Sequence, residues 1–188
     1  LDIANTNAYE AEGVEINSVS AQEGRKLGRK IREGDLLEIE YAKGSFGAVT
    51  AFDFFEHIPS QKAREYLDVI RDILMKGGVL CIITVNTGSL WARVLGTHWH
   101  TFLPPEHISF YSDRNMKILL EKCGFKILEM KTLHKSFSLQ YIFNFLYRLQ
   151  RIWIWRYATS FLGRHPFLGR ISLKLFIGDN MIIFAQKV

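Results

Sequence analysis

The stretch Ala51–Gly88, AFDFFEHIPSQKAREYLDVIRDILMKGGVLCIITVNTG, constrains the fold of this chain more than any other. An apolar run ends on Glu56 and His57. From Ser60 the pattern turns helical: Ala63, Tyr66, Leu67, Ile70, Ile73 and Leu74 recur at three- and four-residue steps. Pro59-Ser60 opens that helix and Gly77-Gly78 is expected to stop it and turn the chain. The following GVLCIITV (78–85) is apolar without alternation, the pattern of a strand covered on both faces. Strand, helix and strand in that order predict an α/β architecture.

The flanking sequence repeats the theme. YEAEGVEI (9–16) reads as a strand, 18–30 as a helix weakened by Gly24 and Gly28, and KIREGDL (30–36) as a short strand entering a turn. GSFGAVTAFDFF (44–55) is a strand centred on Ala48–Phe52. Beyond a loop rich in Trp, His and Pro (86–108), 112–125 is a helix with Ser112 to cap its start and Gly124 its end. KILEMKTL (126–133) and NMIIFAQKV (180–188) are strands, and 137–162 is expected to be helical. In open α/β sheets ligands sit beyond the carboxyl ends of the strands. Glu56 and His57 follow such an end.

With 188 residues the chain has the size of one domain. Cys81 and Cys123 give neither a disulfide framework nor a metal spacing, and both are expected as buried thiols in a reducing, cytoplasmic setting. There is no uncharged apolar run long enough for a simple transmembrane helix. Charge is uneven. Residues 1–133 hold 16 Lys/Arg and 18 Asp/Glu, whereas 134–188 hold 8 and 1, together with 12 of the aromatic side chains.

In their order, the motifs resemble class I S-adenosylmethionine-dependent methyltransferases, in the small-molecule branch that includes ubiquinone-biosynthesis-type enzymes. GVEI (13–16) resembles the second strand, EGDLLE (33–38) the segment that contacts adenine, and GSFGAVTAFDFFEHIP (44–59) the fourth strand with its acid–His pair. LMKGGVLCIITVN (74–86) is similar to the turn and fifth strand, with Met75-Lys76 where Lys-Pro is usual. WHTFLPPEHISFYSDRNMKILLEKCGF (99–125) is similar to a segment typical of this branch. The resemblance implies a Rossmann-like, mostly parallel sheet with an antiparallel last strand and helices on both faces. It implies a single domain over 1–188, with 1–133 and 178–188 as core and 134–177 as an aromatic, basic helical insertion.

The family's Gly-x-Gly-x-Gly loop has no counterpart before Glu15. LDIANTN (1–7) therefore reads as the end of the first helix, with the first strand and the glycine loop expected upstream of Leu1. That strand is central in the fold. Without it two ladder edges would stand unpaired in the core.

The resemblance assigns the cofactor S-adenosyl-L-methionine to Glu15 and Ile16, to Asp35 and Leu36, and to Phe52 and Asp53. A strand-end carboxylate can accept both ribose hydroxyls, and an aromatic face favours a sulfonium. The competing readings are an exposed terminal acid at Glu15, a turn Asp at Asp35 and a core ring at Phe52. His57 is the candidate base, with Glu56 to orient it and His107 either as a second candidate or as a residue that holds its loop to the helix starting near Ser112 and shapes the substrate side. Alternatively Glu56 and His57 begin the next helix and bond its free amides. They could also bind a divalent metal, but two adjacent ligands are not a site, and no metal is assigned. Trp91, Trp99 and Asn86 lie on the acceptor side, Asn86 with an equally good reading as a turn residue.

The expected partner is a small or lipid-linked acceptor, not nucleic acid: the aromatics of 137–162 are too densely apolar for an exposed stacking platform. That segment either caps the acceptor pocket or lies against an anionic membrane as a peripheral contact. Oxygen is the expected methyl acceptor. The rival reading is a non-catalytic or membrane-associated binding module on the same fold.

Overall fold

The computed structural model describes residues 1–133, 136–150, 152–174 and 179–188. A short helix α1 (Asp2–Thr6) leads into β1 (Gly13–Glu15), α2 (Ser18–Lys26) and β2 (Ile31–Glu33). Then come β3 (Phe46–Phe52), α3 (Ala63–Ile73), β4 (Leu74–Val85), α4 (Leu90–Leu95), α5 (Asp113–Lys122) and β5 (Phe125–Leu133). The chain ends with β6 (Ser136–Ser138), α6 (Leu139–Gln150), α7 (Trp153–Arg164), α8 (Pro166–Gly169), β7 (Ser172–Lys174) and β8 (Asn180–Lys187). Residues 134, 135, 151 and 175–178, which include Arg151 and parts of the expected insertion, lie outside the described residues.

The main sheet has the order β3-β4-β8-β5. β3 runs parallel to β4, and β8 is antiparallel to both of its neighbours. The last strand thus enters between β4 and β5, with the direction expected for it. β1 and β2 form a separate parallel pair in the register Glu15↔Glu33. A small ribbon of β6 and β7 brackets the helices α6–α8.

One face of the main sheet carries the core. The apolar stripe of α3 (Ala63, Tyr66, Leu67, Ile70) and Met116 and Leu120 of α5 are buried against Leu80 and Ile82 of β4 and Met181, Ile183 and Ala185 of β8. Each such side chain contributes roughly 1.5–3 kcal/mol by leaving water. On the opposite face Val79, Cys81 and Ile83 are half-buried. Cys81 is therefore not fully buried as expected, whereas Cys123 is. Burial pushes both thiols above their ordinary value.

The structure sharpens three local readings. Helix α3 stops at Ile73, because Leu74 is already extended (φ −71°, ψ 138°), not at Gly77. Gly77 (φ 78°) instead sits in a bulge of β4, where the register to β3 shifts between Phe46↔Leu74 and Ala48↔Val79. Gly24 has a packing reason in α2: a Cβ there would lie 2.1 Å from the Cδ1 of Ile31, so the glycine lets β2 pack closely on the helix. The segment 137–162 is largely helical as expected, but in two helices. It opens with β6, and Ile152 (ψ 135°) is extended between α6 and α7.

Candidate functional site at the carboxyl ends of the strands

The candidate groups lie at the carboxyl ends of β1 and β2 in the two-stranded pair and just past the carboxyl end of β3 in the main sheet. At the first pair, the N–H of Gly34 donates to the Glu15 carbonyl at 3.0 Å, tying the end of β2 to the end of β1. Gly34 (φ 137°) adopts a conformation only glycine takes freely, and it sets Asp35 just past Glu15. The Glu15 carboxylate accepts from the Asn17 N–H at 2.8 Å, while the Asn17 side chain caps α2. Ile16 beside it is exposed.

Asp35 has partners in place. Its oxygens each accept from the Tyr66 hydroxyl at 2.8 Å, and Oδ1 accepts from the Leu37 N–H at 3.0 Å. The turn reading of Asp35 is thus part of its role, and through Tyr66 it also fastens the β1–β2 pair to α3. The two oxygens share the one Tyr66 hydroxyl hydrogen, and of the roughly four acceptor positions of a carboxylate at least one is left for a ligand. Leu36 is half-buried against the core. Sequence reasoning took Tyr66 for a core residue only; a hydroxyl on an apolar stripe, within reach of an acid, was the signal.

Burial, together with the Asp35 carboxylate, pushes the Tyr66 hydroxyl up to about 12. Burial also pushes Tyr41 up to about 12, against the pull of the Arg32 guanidinium 4.3 Å from its ring centre. A phenol whose pKa is raised by folding holds its proton in the native state while the unfolded chain loses it. Its stabilisation is complete below the ordinary value of 10.0 and is lost as pH rises towards about 12. Ultraviolet titration is expected to show at least two tyrosines still protonated at about pH 11 in native protein, and one fewer in Tyr66→Phe.

At the end of β3, Phe52 is about half exposed, and Asp53 follows with φ 48°. A left-handed non-glycine residue costs on the order of 1 kcal/mol, and such strain collects at functional sites. Here the Asp53 N–H donates to the Ile83 carbonyl at 2.9 Å, and the bend turns the chain off the strand.

That bend leads into a 3-10 turn, Phe55–His57. Helix α3 begins only at Ala63 and has no side-chain cap, so Glu56 and His57 do not start the helix. The Glu56 carboxylate is 1% exposed and accepts from the Thr84 hydroxyl at 2.7 Å. Its backbone carbonyl accepts from the N–H groups of Ile108 and Ser109 at 2.9 and 3.1 Å, stitching the distant loop onto the turn. His57 Nδ1 lies 2.9 Å from the Glu106 carbonyl, and His107 Nδ1 lies 2.7 Å from the Thr101 carbonyl. The two rings meet edge to face at 4.9 Å. A carbonyl can only accept, so each Nδ1 carries a hydrogen, and in the neutral ring the lone pair is on Nε2. Thr84, missed from sequence, is the single polar residue inside the apolar run 79–85.

The loop after β4 is more enclosed than expected. Trp99 is 3% exposed and Asn86 is 7% exposed. The Asn86 side chain accepts from the Gly88 N–H at 2.8 Å, which makes it a turn residue. Trp91 is partly exposed on α4. Below them Asp179, the single acid of residues 134–188, is buried, with Oδ2 3.4 Å from His100 Nδ1 and Oδ1 3.3 Å from the Ser89 hydroxyl. Trp99 Nε1 and the Thr101 hydroxyl are buried with no hydrogen-bond partner among the described residues. Sequence reasoning missed this polar floor; an isolated acid in a basic tail was its one signal.

A family described as "Methyltransferase domain" matches residues 1–130. No curated protein matches in sequence. Among solved structures, a SAM-dependent methyltransferase of Archaeoglobus fulgidus is 18% identical with a TM-score of 0.68, over 99% of this chain and 80% of that one. A possible histamine N-methyltransferase of Thermotoga maritima is 18% identical with a TM-score of 0.63, over 98% and 76%. The 1,6-didemethyltoxoflavin-N1-methyltransferase of Burkholderia thailandensis, solved with 1,6-didemethyltoxoflavin and S-adenosylhomocysteine, is 9% identical with a TM-score of 0.58, over 100% and 65%. These likenesses establish the fold.

Proposed function

The chain belongs to the methyltransferase-domain family, and from that premise we propose that it moves the methyl group of S-adenosylmethionine to an oxygen of a small or lipid-linked acceptor, with His57 as base. The observation that carries this reading is the placement of Glu15, Asp35, Asp53 and His57 at successive carboxyl ends of strands β1, β2 and β3. The residues suit the cofactor. Glu15, held by the Asn17 amide, can accept the ribose hydroxyls; Asp35 has one acceptor position for the adenine amino group; exposed Ile16 and Phe52 offer apolar surface for the base and the sulfonium.

The bound donor supplies an electrophilic methyl, whose bonding pair stays with sulfur as the acceptor oxygen takes the carbon. The chain's own work is orientation and proton removal. His57 Nε2 receives the hydroxyl proton, and the Glu106 carbonyl holds the ring in the tautomer able to do so. His107 packs against that ring and limits its rotation. Trp91 and the loop around Trp99 shape the acceptor side.

Residues 134–177 serve in this reading as an insertion to the core of 1–133 and 178–188. No helix among the described residues is long and apolar enough to cross a membrane. On α7, however, Trp153, Tyr157 and Phe161 are exposed at four-residue steps, with Arg156 and Arg164 beside them. That face supports peripheral contact with an anionic membrane, where a lipid-linked acceptor would be presented.

Calorimetry with S-adenosylhomocysteine on the full-length protein tests the reading. The expected result is heat from binding at a single site. Absence of heat from folded protein would end it.

A further inference from the structure

We infer that Glu56, His57 and His107 bind a divalent first-row transition-metal ion. The inference rests on the proposed acceptor side and goes beyond it. One ligand atom from each residue lies within 4.8 Å of the other two. Local sequence supplied only an adjacent acid and histidine. The fold adds the third ligand from fifty residues away, by pinning Ile108 and Ser109 to the Glu56 carbonyl.

Three features distinguish this cluster from a chance meeting of polar side chains. First, both histidines give their Nδ1 hydrogen to a backbone carbonyl, at 2.9 Å from Glu106 and 2.7 Å from Thr101. That support fixes Nε2 as the nitrogen with a free lone pair, and it is how metal-binding imidazoles are generally held. Second, the Glu56 carboxylate is 1% exposed, and no lysine or arginine among the described residues pairs with it. The hydroxyl of Thr84 that donates to it is neutral, so among the described residues no cationic side chain meets the buried carboxylate. A cation at the centre would balance it. Third, the burial is graded: buried carboxylate, half-buried His107, exposed His57. An ion can enter from the His57 side and remain open to an acceptor there.

Two imidazoles and one carboxylate suit Zn²⁺, Mn²⁺, Fe²⁺ or Co²⁺, whereas Ca²⁺ and Mg²⁺ favour oxygen alone. Ligands at about 2.0–2.1 Å around a tetrahedral ion stand about 3.4 Å apart, so binding draws the three together by at most about 1.4 Å. The exposed His57 side chain has room for most of that movement. Three protein ligands leave a position open. An acceptor hydroxyl that fills it releases its proton to solvent water, and the resulting oxygen anion attacks the methyl carbon while the C–S pair stays with sulfur. In the loaded protein His57 is then a ligand; in metal-free protein it is the base.

The test uses tag-free protein stripped with a chelator and no methyl donor. Co²⁺ is followed by its visible absorption and Zn²⁺ by calorimetry. The expected result is one equivalent of each, in competition, with affinity falling at least about 10–100-fold in His57→Ala and in Glu56→Gln. His57 lies on an exposed turn and Glu56→Gln preserves shape, so both variants should fold; circular dichroism checks this. No stoichiometric binding, or equal binding by the double variant His57→Ala/His107→Ala, overturns the inference. Binding of S-adenosylhomocysteine, measured separately, tests the methyltransferase reading alone.

Discussion

Replacing His57 by alanine is expected to lower kcat by about 10²–10⁴-fold in chelator-treated protein while leaving the affinity for S-adenosylhomocysteine within about twofold. The size is that of a lost general base. The selectivity follows from geometry. His57 is exposed, on a turn past β3, and is bonded through Nδ1 to the Glu106 carbonyl rather than to any group assigned to the cofactor. Its removal costs one hydrogen bond and the ring contact with His107, so thermal stability should hardly move. Single-turnover measurement with saturating donor reads the chemical step directly. Unchanged turnover would remove the base assignment and leave the carboxylate edge standing.

Substituting alanine for Glu15 is expected to do the reverse: binding of S-adenosylhomocysteine falls by about 10–100-fold. Two charge-assisted hydrogen bonds to ribose hydroxyls would be worth about 3 kcal/mol or more if fully buried. Glu15 is only half-buried, and solvent screening brings the effect down to that range. The fold should tolerate the change. The carboxylate accepts from the Asn17 N–H, and Asn17 caps α2 with its own side chain. Calorimetry on Glu15→Ala, with circular dichroism as the control, gives the answer. Full affinity in a folded variant would place the ribose elsewhere.

Much of the frame was legible because its signals are local. The stripe from Ala63 to Ile73 is helical in sequence and in space, since neighbours on one helix turn decide it. Ser112 and Gly124 bracket α5 as read, because a cap is a bond across one turn. The boundary of α3 was misread at Gly77 for a non-local reason. Leu74 already pairs with Phe46 of β3, and a ladder partner nearly thirty residues away ends the helix before the glycines can. The break between α6 and α7 likewise carries no glycine or proline to announce it.

The candidate site divides along the same line. Glu15, Asp35, Glu56 and His57 stand at strand ends, and a strand end is visible in sequence as a change of composition. What each acid touches is not. The Asp35–Tyr66 bonds, the Thr84 hydroxyl under Glu56, and the burial of Asn86 and Trp99 depend on which elements meet.

The sequence by itself determined that strands alternate with helices and which residues reach the carboxyl edge, because periodicity and chain direction are properties of neighbouring residues. Only the tertiary structure decided that His107 stands beside His57, and that Glu56 lies buried between Thr84 and the pinned loop. Backbone hydrogen bonds from Ile108 and Ser109 to the Glu56 carbonyl bring the two segments together, and a donor's distant acceptor leaves no trace in the sequence around it.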